Sequence, residues 1–136
     1  MNEAIIIKNS GFTEPVIKDE DYKLGALPQE NLQPNRNWTP FLSENEEQIK
    51  NGIETFGCVR WTILNCYEIL AYRKLNIKLN LSERFLAWAS EFKIEDRGSQ
   101  PNIVAQALHK KGCVKEELLP FSPDINTLEK YLSPRP

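Results

Sequence analysis

The chain is poor in the residues that build metal centres and cross-links. It has one histidine and three cysteines in 136 residues, and no C-x-x-C pair. That set lacks the usual zinc-ligand spacings, so neither a metal nor a cofactor is expected. Cys58 and Cys66 fall on one expected helix, roughly 12 Å apart by helical rise, which is beyond disulfide reach. An odd cysteine count with no framework fits a reducing compartment. Charge of one sign is also missing: 17 basic residues face 19 acidic ones, for a net charge of −2. Without a basic stripe, no nucleic-acid partner is expected. Long apolar runs are absent too. Nothing approaches the roughly 20 residues that span a bilayer, so no membrane partner is expected. Met1 to Lys8 carries only Ala4-Ile5-Ile6-Ile7 beside an acidic Glu3, which is not a signal peptide.

What is present suits one soluble domain with a modest core. Residues 1–45 read as an extended arm. Pro15, Pro28, Pro34 and Pro40 punctuate polar sequence with isolated large apolar residues, among them Phe12, Tyr22, Trp38 and Phe41. Such a segment has no core of its own. It is expected to lie along a folded body, with Trp38 and Phe41 as anchors. Residues 2–8 allow a short strand, and 43–50 a helical turn with Ser43 as N-cap and Glu46 at the capping-box position.

Residues 46–136 carry the helical signal. A helix over 58–74 is expected to bury a stripe of Val59, Ile63, Cys66 and Leu70, widened by Trp61, Leu64 and Ile69. Its breadth suggests the centre of the domain. A second helix follows Ser82 as N-cap, with Phe85, Trp88, Ala89 and Phe92 at helical spacing. A third runs from Pro101 to Lys111, stopped by Gly112, and buries Ile103, Val104, Ala107 and Leu108. Residues 76–81 alternate like a strand, and Asn126–Tyr131 allows a last short helix. Cys66, Cys113, Trp61 and Trp88 are read as packing residues. The expected class is α+β, mostly helical.

Cys58 is the residue with chemical promise. Asn51-Gly52-Ile53-Glu54-Thr55-Phe56-Gly57 leads from a polar, glycine-bearing loop straight into the first helix. A helix N-terminus presents unpaired N–H groups and partial positive charge, both of which favour a thiolate. A cysteine nucleophile also needs a base and oxyanion donors. The Cys58 N–H is one donor; Gln48 or Asn51 offers a side-chain amide. The only histidine, His109, sits beside Lys110 and Lys111 and reads as a surface residue at a helix C-terminus.

The pattern resembles the papain-like cysteine peptidases, in particular divergent members from bacteria and bacteriophages. The resemblance rests on Gly57-Cys58 at the start of a long helix and Leu81-Ser82-Glu83 opening the next. It continues through Gly98, Pro101 and Ala107, then Gly112-Cys113-Val114-Lys115-Glu116 and Leu119-Pro120-Phe121, over residues 48–121. It implies the helical lobe of a papain-like domain, whose central helix starts at Cys58 after the extended arm. Cys58 takes the nucleophile position and Gln48 the oxyanion glutamine. Two positions depart from the family pattern: Val59 follows the cysteine where an aromatic is usual, and Gly52 stands where the glutamine usually does. The family's histidine and asparagine lie in a β-rich lobe more than roughly a hundred residues after the cysteine. The resemblance therefore implies that this lobe is absent and that the base comes from outside this chain.

Two functions follow as expectations. One is a cysteine peptidase or related amide hydrolase acting on a peptide or protein, with these residues inactive alone. The other is an inactive papain-like structural or binding module, such as a bacteriophage virion component, whose arm grips a protein partner. An apolar face left by the missing lobe would suit a homo-oligomer or larger assembly. The expected location is the cytoplasm or a virion.

Overall fold

A computed structural model describes residues 11–19, 37–42 and 47–133. The protein is α+β and mostly helical, with two small two-stranded sheets. In chain order the elements are β1 (Gly11–Phe12), β2 (Ile49–Lys50), β3 (Ile53–Glu54), α1 (Cys58–Leu75), α2 (Glu83–Ala89), β4 (Gly98–Ser99), α3 (Pro101–Lys111) and α4 (Leu128–Tyr131), with single 3-10 turns at Thr39–Phe41, Ile94–Asp96 and Glu116–Leu118.

Local chemistry sets the helix ends. Ser82 Oγ accepts from Phe85 N, which caps α2. Thr127 caps α4 in the same way, through Lys130 N. Pro101 opens α3 and Gly112 closes it, as the sequence leads one to expect. Asn76 ends α1 in the left-handed region, a conformation that asparagine tolerates.

The helices α1, α2 and α3 pack on one another around Val59, Leu64, Leu81, Leu86, Ala89, Val104 and Ala107. A second cluster lies on the other side of α2: Ala87, Phe92, Phe121, Ile125 and Tyr131. The short α2 is the most completely buried helix, with five buried residues out of seven, while α1 touches α2, α3, β1, β4 and the Thr39–Phe41 turn. In contrast, α1 buries four of eighteen: Val59, Arg60, Leu64 and Glu68. The apolar stripe expected at 59, 63, 66 and 70 is therefore buried only in its first half: Val59 is in the first cluster and Ile63 packs against it. The inward row is 60, 64 and 68, and it includes two charges because each finds partners. Arg60 donates to Thr55 O and Ser99 Oγ, and Glu68 Oε1 accepts from Leu81 N at 2.7 Å. Cys66 and Leu70 turn outward and are exposed.

Other expectations change as well. Trp88 is 50% exposed, its ring tilted against Phe85 with Lys111 over its face. Ile103 also faces outward. Cys113 does pack against the first cluster, and its Sγ donates to Ser82 O. Burial pushes its thiol up to about 12. Residues 76–80 are irregular; pairing is confined to the bridge of Leu81 with Lys115, where Glu116 N donates to Asn80 O and Ser82 N to Val114 O. Ile49 and Lys50 form a hairpin with Ile53 and Glu54 around Asn51-Gly52. Both turn residues have positive φ, as such a two-residue turn demands. The strand expected within residues 2–8 and the caps Ser43 and Glu46 lie outside the described residues.

Trp38 and Phe41 do anchor the segment before the hairpin. Phe41 meets Tyr72 edge-on, with ring centroids 5.8 Å apart, and Arg73 covers Trp38 at 5.0 Å. Both contacts fall on the C-terminal half of α1.

Behind α2 the chain is held by polar clasps. Arg84 donates to three carbonyls, Pro120 O at 2.8 Å, Lys130 O at 3.0 Å and Tyr131 O at 3.1 Å. Glu116 Oε1 accepts from Phe121 N at 2.6 Å, and Ser82 Oγ donates to Leu119 O. Burial pushes the Glu116 carboxyl above its ordinary range, against the pull of the Phe121 N–H, Lys50 and Arg84.

Two predictions follow from these clasps. Arg84→Ala strands three carbonyls and empties a buried volume. Its unfolding free energy in urea should fall by on the order of 3–5 kcal/mol. For Glu116, the folded state holds the proton more tightly than the unfolded chain does. The associated stability is full below the ordinary carboxylate pKa of about 4.3 and is lost as pH rises through the folded value. Glu116→Gln keeps an acceptor for Phe121 N–H without charge. Its melting temperature should therefore gain on the wild type as pH rises above about 4.3, the ordinary carboxylate value, and a gap that stays constant would refute this.

Candidate functional site

Cys58 is the first residue of α1. No side chain caps this helix; Gly57 stands at the cap position. Glycine has no side chain with which to bond the first-turn N–H groups. The Cys58 side chain is half-buried, at the edge of the first core cluster.

The turn into Cys58 is tightly built. Phe56 has φ of 51°, an uncommon conformation for a bulky residue. Its N–H donates to Glu54 Oε1 at 2.8 Å, and the same oxygen accepts from Gln48 Nε2 at 2.6 Å. The Gln48 carbonyl accepts from both the N–H and the hydroxyl of Thr55. Gln48 is thus joined to the strained turn through Glu54, and its amide is engaged there.

Glycines let the backbone close around the helix start. β1 pairs in parallel with β4, Gly11 opposite Gly98. Gly11 has φ of 100°, and a Cβ on it would lie 2.6 Å from Phe56 O and 3.0 Å from Cys58 Sγ. A Cβ on Gly57 would lie 2.7 Å from Trp61 Nε1. Beneath this layer is Arg60, fully buried, with Nη2 on Thr55 O at 2.7 Å and Nη1 on Ser99 Oγ at 2.9 Å. Its guanidinium carbon sits 4.3 Å from the centre of the Phe92 ring. Burial lowers the Arg60 pKa, opposed by Tyr131, Glu83 and Cys58.

His109 is exposed and belongs to the far end of α3. The near end of α3 follows Ser99, the partner of Arg60. Eight residues of helix carry the chain roughly 12 Å from Pro101 to His109. Asn51, the other candidate amide, donates to Ser122 O and Ile125 O and so serves the hairpin instead.

Among the clefts formed by the described residues, two stand out. One, of about 430 Å³, is lined by Thr13, Phe92, Lys93, Ser99, Gln100 and Ile103 among others, beside the β1–β4 pair. The other, of about 440 Å³, lies between Lys78, Asn80, Lys115, Glu116 and Glu117. Neither is lined by Cys58. Among the described residues, no group of three or more histidine, cysteine or acidic side chains could hold a metal ion. No helix among them is long and apolar enough to cross a membrane.

Sequence reasoning singled out Cys58 and Gln48 but passed over Arg60 and Glu54. An arginine two positions into an apolar helix was a visible signal, since a charge there needs buried partners. Comparisons with protein-family models, curated proteins and solved structures gave no match.

The close approach of Gly11 can be checked directly. Gly11→Ala must move the Phe56 carbonyl or break the β1–β4 pair, and should cost roughly 1–3 kcal/mol in urea unfolding. Gly52→Ala has a similar φ of 78° but open space around it, so it should cost less. Equal costs would mean that φ alone, and not the contact with Phe56 and Cys58, makes Gly11 necessary.

Proposed function

We propose that the chain is the helical lobe of a papain-like cysteine peptidase or related amide hydrolase. Cys58 is its nucleophile, and the base comes from outside these 136 residues. The observation that carries this reading is the position of Cys58, first residue of an eighteen-residue helix whose cap position is a glycine. Supporting it are the order of elements the resemblance calls for: the Ser82-capped helix, the Pro101 helix, and Glu116 holding the Phe121 turn.

In this mechanism the Cys58 thiolate attacks the carbonyl carbon of a peptide or protein substrate. Its electron pair forms the C–S bond, and the carbonyl oxygen becomes an oxyanion near the first-turn N–H groups. An imidazole brought by another segment or partner takes the thiol proton and passes it to the leaving amine. His109, exposed at the far end of α3, is poorly placed for that task. Gln48 acts here through Glu54 on the Phe56 turn. It reaches an oxyanion only if the Glu54 contact is given up.

A second reading is an inactive papain-like binding module, in the cytoplasm or as part of a bacteriophage virion. Two observations favour it: the Gly11 backbone lies against Cys58 Sγ, and the Gln48 amide is already engaged. In that case protein partners are held by the arm, or copies of the chain meet on the exposed Tyr67, Leu70 and Leu75 of α1.

Alkylation separates the two readings. In a Cys66→Ser background, iodoacetamide should label Cys58 faster in the folded chain than in urea near neutral pH, with the site mapped by mass spectrometry. Cys113 serves as the slow internal control. A folded-state rate at or below the unfolded one would reject the nucleophile and leave the binding module.

A further inference from the structure

Arg60 has no exposed surface, yet it stands two residues after Cys58 on the same helix. Burying a guanidinium is costly, and a well-packed apolar side chain often serves a core better. What sets the arginine apart is where its two arms go. One reaches the Thr55 carbonyl, three residues before Cys58. The other reaches Ser99, in the strand that pairs with Gly11 beside the thiol. Its face lies over Phe92, and the Tyr131 hydroxyl and the Glu83 carboxylate are close by. A single side chain therefore joins the loop before the helix start, the strand beside it and the last helix behind it.

We propose that Arg60 is the positioning residue of the Cys58 site, fixing the entry to α1 and the setting of the thiol by holding Thr55 and Ser99 on one rigid fork. Its functional meaning rests on the reading of Cys58 as a nucleophile; the clamp itself does not. The planar fork is essential to this role, because a lysine is a point charge on a flexible stem and cannot hold two diverging acceptors in fixed geometry. The clamp also makes Cys58 sensitive to the C-terminal segment, since Tyr131 packs on the same guanidinium.

The test uses the full chain with Cys66→Ser, and compares Arg60→Lys and Ser99→Ala. Three quantities are read: near-ultraviolet circular dichroism, the rate and pH profile of Cys58 alkylation, and amide hydrogen exchange over residues 56–61. Arg60→Lys should keep the dichroism, alkylate Cys58 about fivefold or more slowly than its parent, and exchange faster at 56–61. Ser99→Ala should move both readouts in the same direction by less. Folded variants whose alkylation profile and exchange superimpose on the parent would overturn the proposal. If Arg60→Lys does not fold, Ser99→Ala decides alone, since it removes only one acceptor. If the parent Cys58 reacts as it does in urea, the nucleophile reading fails, and exchange at 56–61 still judges the clamp.

Discussion

Two opposite charges in the first turn of a seven-residue helix hold this molecule together. Glu83 and Arg84 are both buried, at the point where α2 separates the two hydrophobic clusters. Arg84 gathers carbonyls from Pro120, Lys130 and Tyr131, so the segment after α3 closes over the core through main-chain oxygens as well as through the buried Phe121, Ile125 and Tyr131. Glu83 lies within electrostatic reach of Arg60, Arg84 and Tyr131. That chain of contacts links α2 to the start of α1. Buried charge of this kind is tolerated only when it is met from several sides, which restricts how α1, α2 and α4 can be arranged.

The helices were legible because their ends are written in local chemistry. Ser82, Pro101 and Gly112 each act within a turn of their own position, so the boundaries of α2 and α3 needed no tertiary information. The Asn51-Gly52 hairpin was legible in the same sense, but the acidic run before it drew the reading toward a helical turn. The buried face of α1 was not legible. Hydrophobic periodicity assigns Cys66 and Leu70 to the core, whereas Arg60 and Glu68 take the inward row because partners far along the chain satisfy them. Those partners, Ser99 and Leu81, are visible only once the chain is folded. Trp88 was misread for a related reason: it packs along Phe85 and under Lys111 at the surface, a half-exposed state that residue type alone does not reveal.

At the candidate site, the sequence pointed to Cys58 and Gln48 as chemical groups. The structure adds the framework around them. A strained Phe56, a carboxylate shared between Gln48 and the Phe56 N–H, and a buried arginine together define how the chain enters α1. Apart from the arginine, whose place in an apolar stretch is itself a signal, none of these has a spacing signature, since each depends on a backbone conformation or a distant partner. The site is therefore better described by the polar contacts of its entry turn than by the residue types beside the cysteine.

The parallel pairing of β1 with β4 also bears on the order of assembly. Gly11 finds its partner at Gly98, across most of the described chain, so this is among the contacts of longest sequence separation in the fold. Contacts of that kind carry the largest loop-closure cost and tend to form late. During synthesis α1 is complete before β4 has been made. Until β4 emerges, the Gly11 backbone lacks the strand that pairs with it, and its place beside the Cys58 sulfur rests on the contacts of β1 with α1 and the Phe56 turn alone.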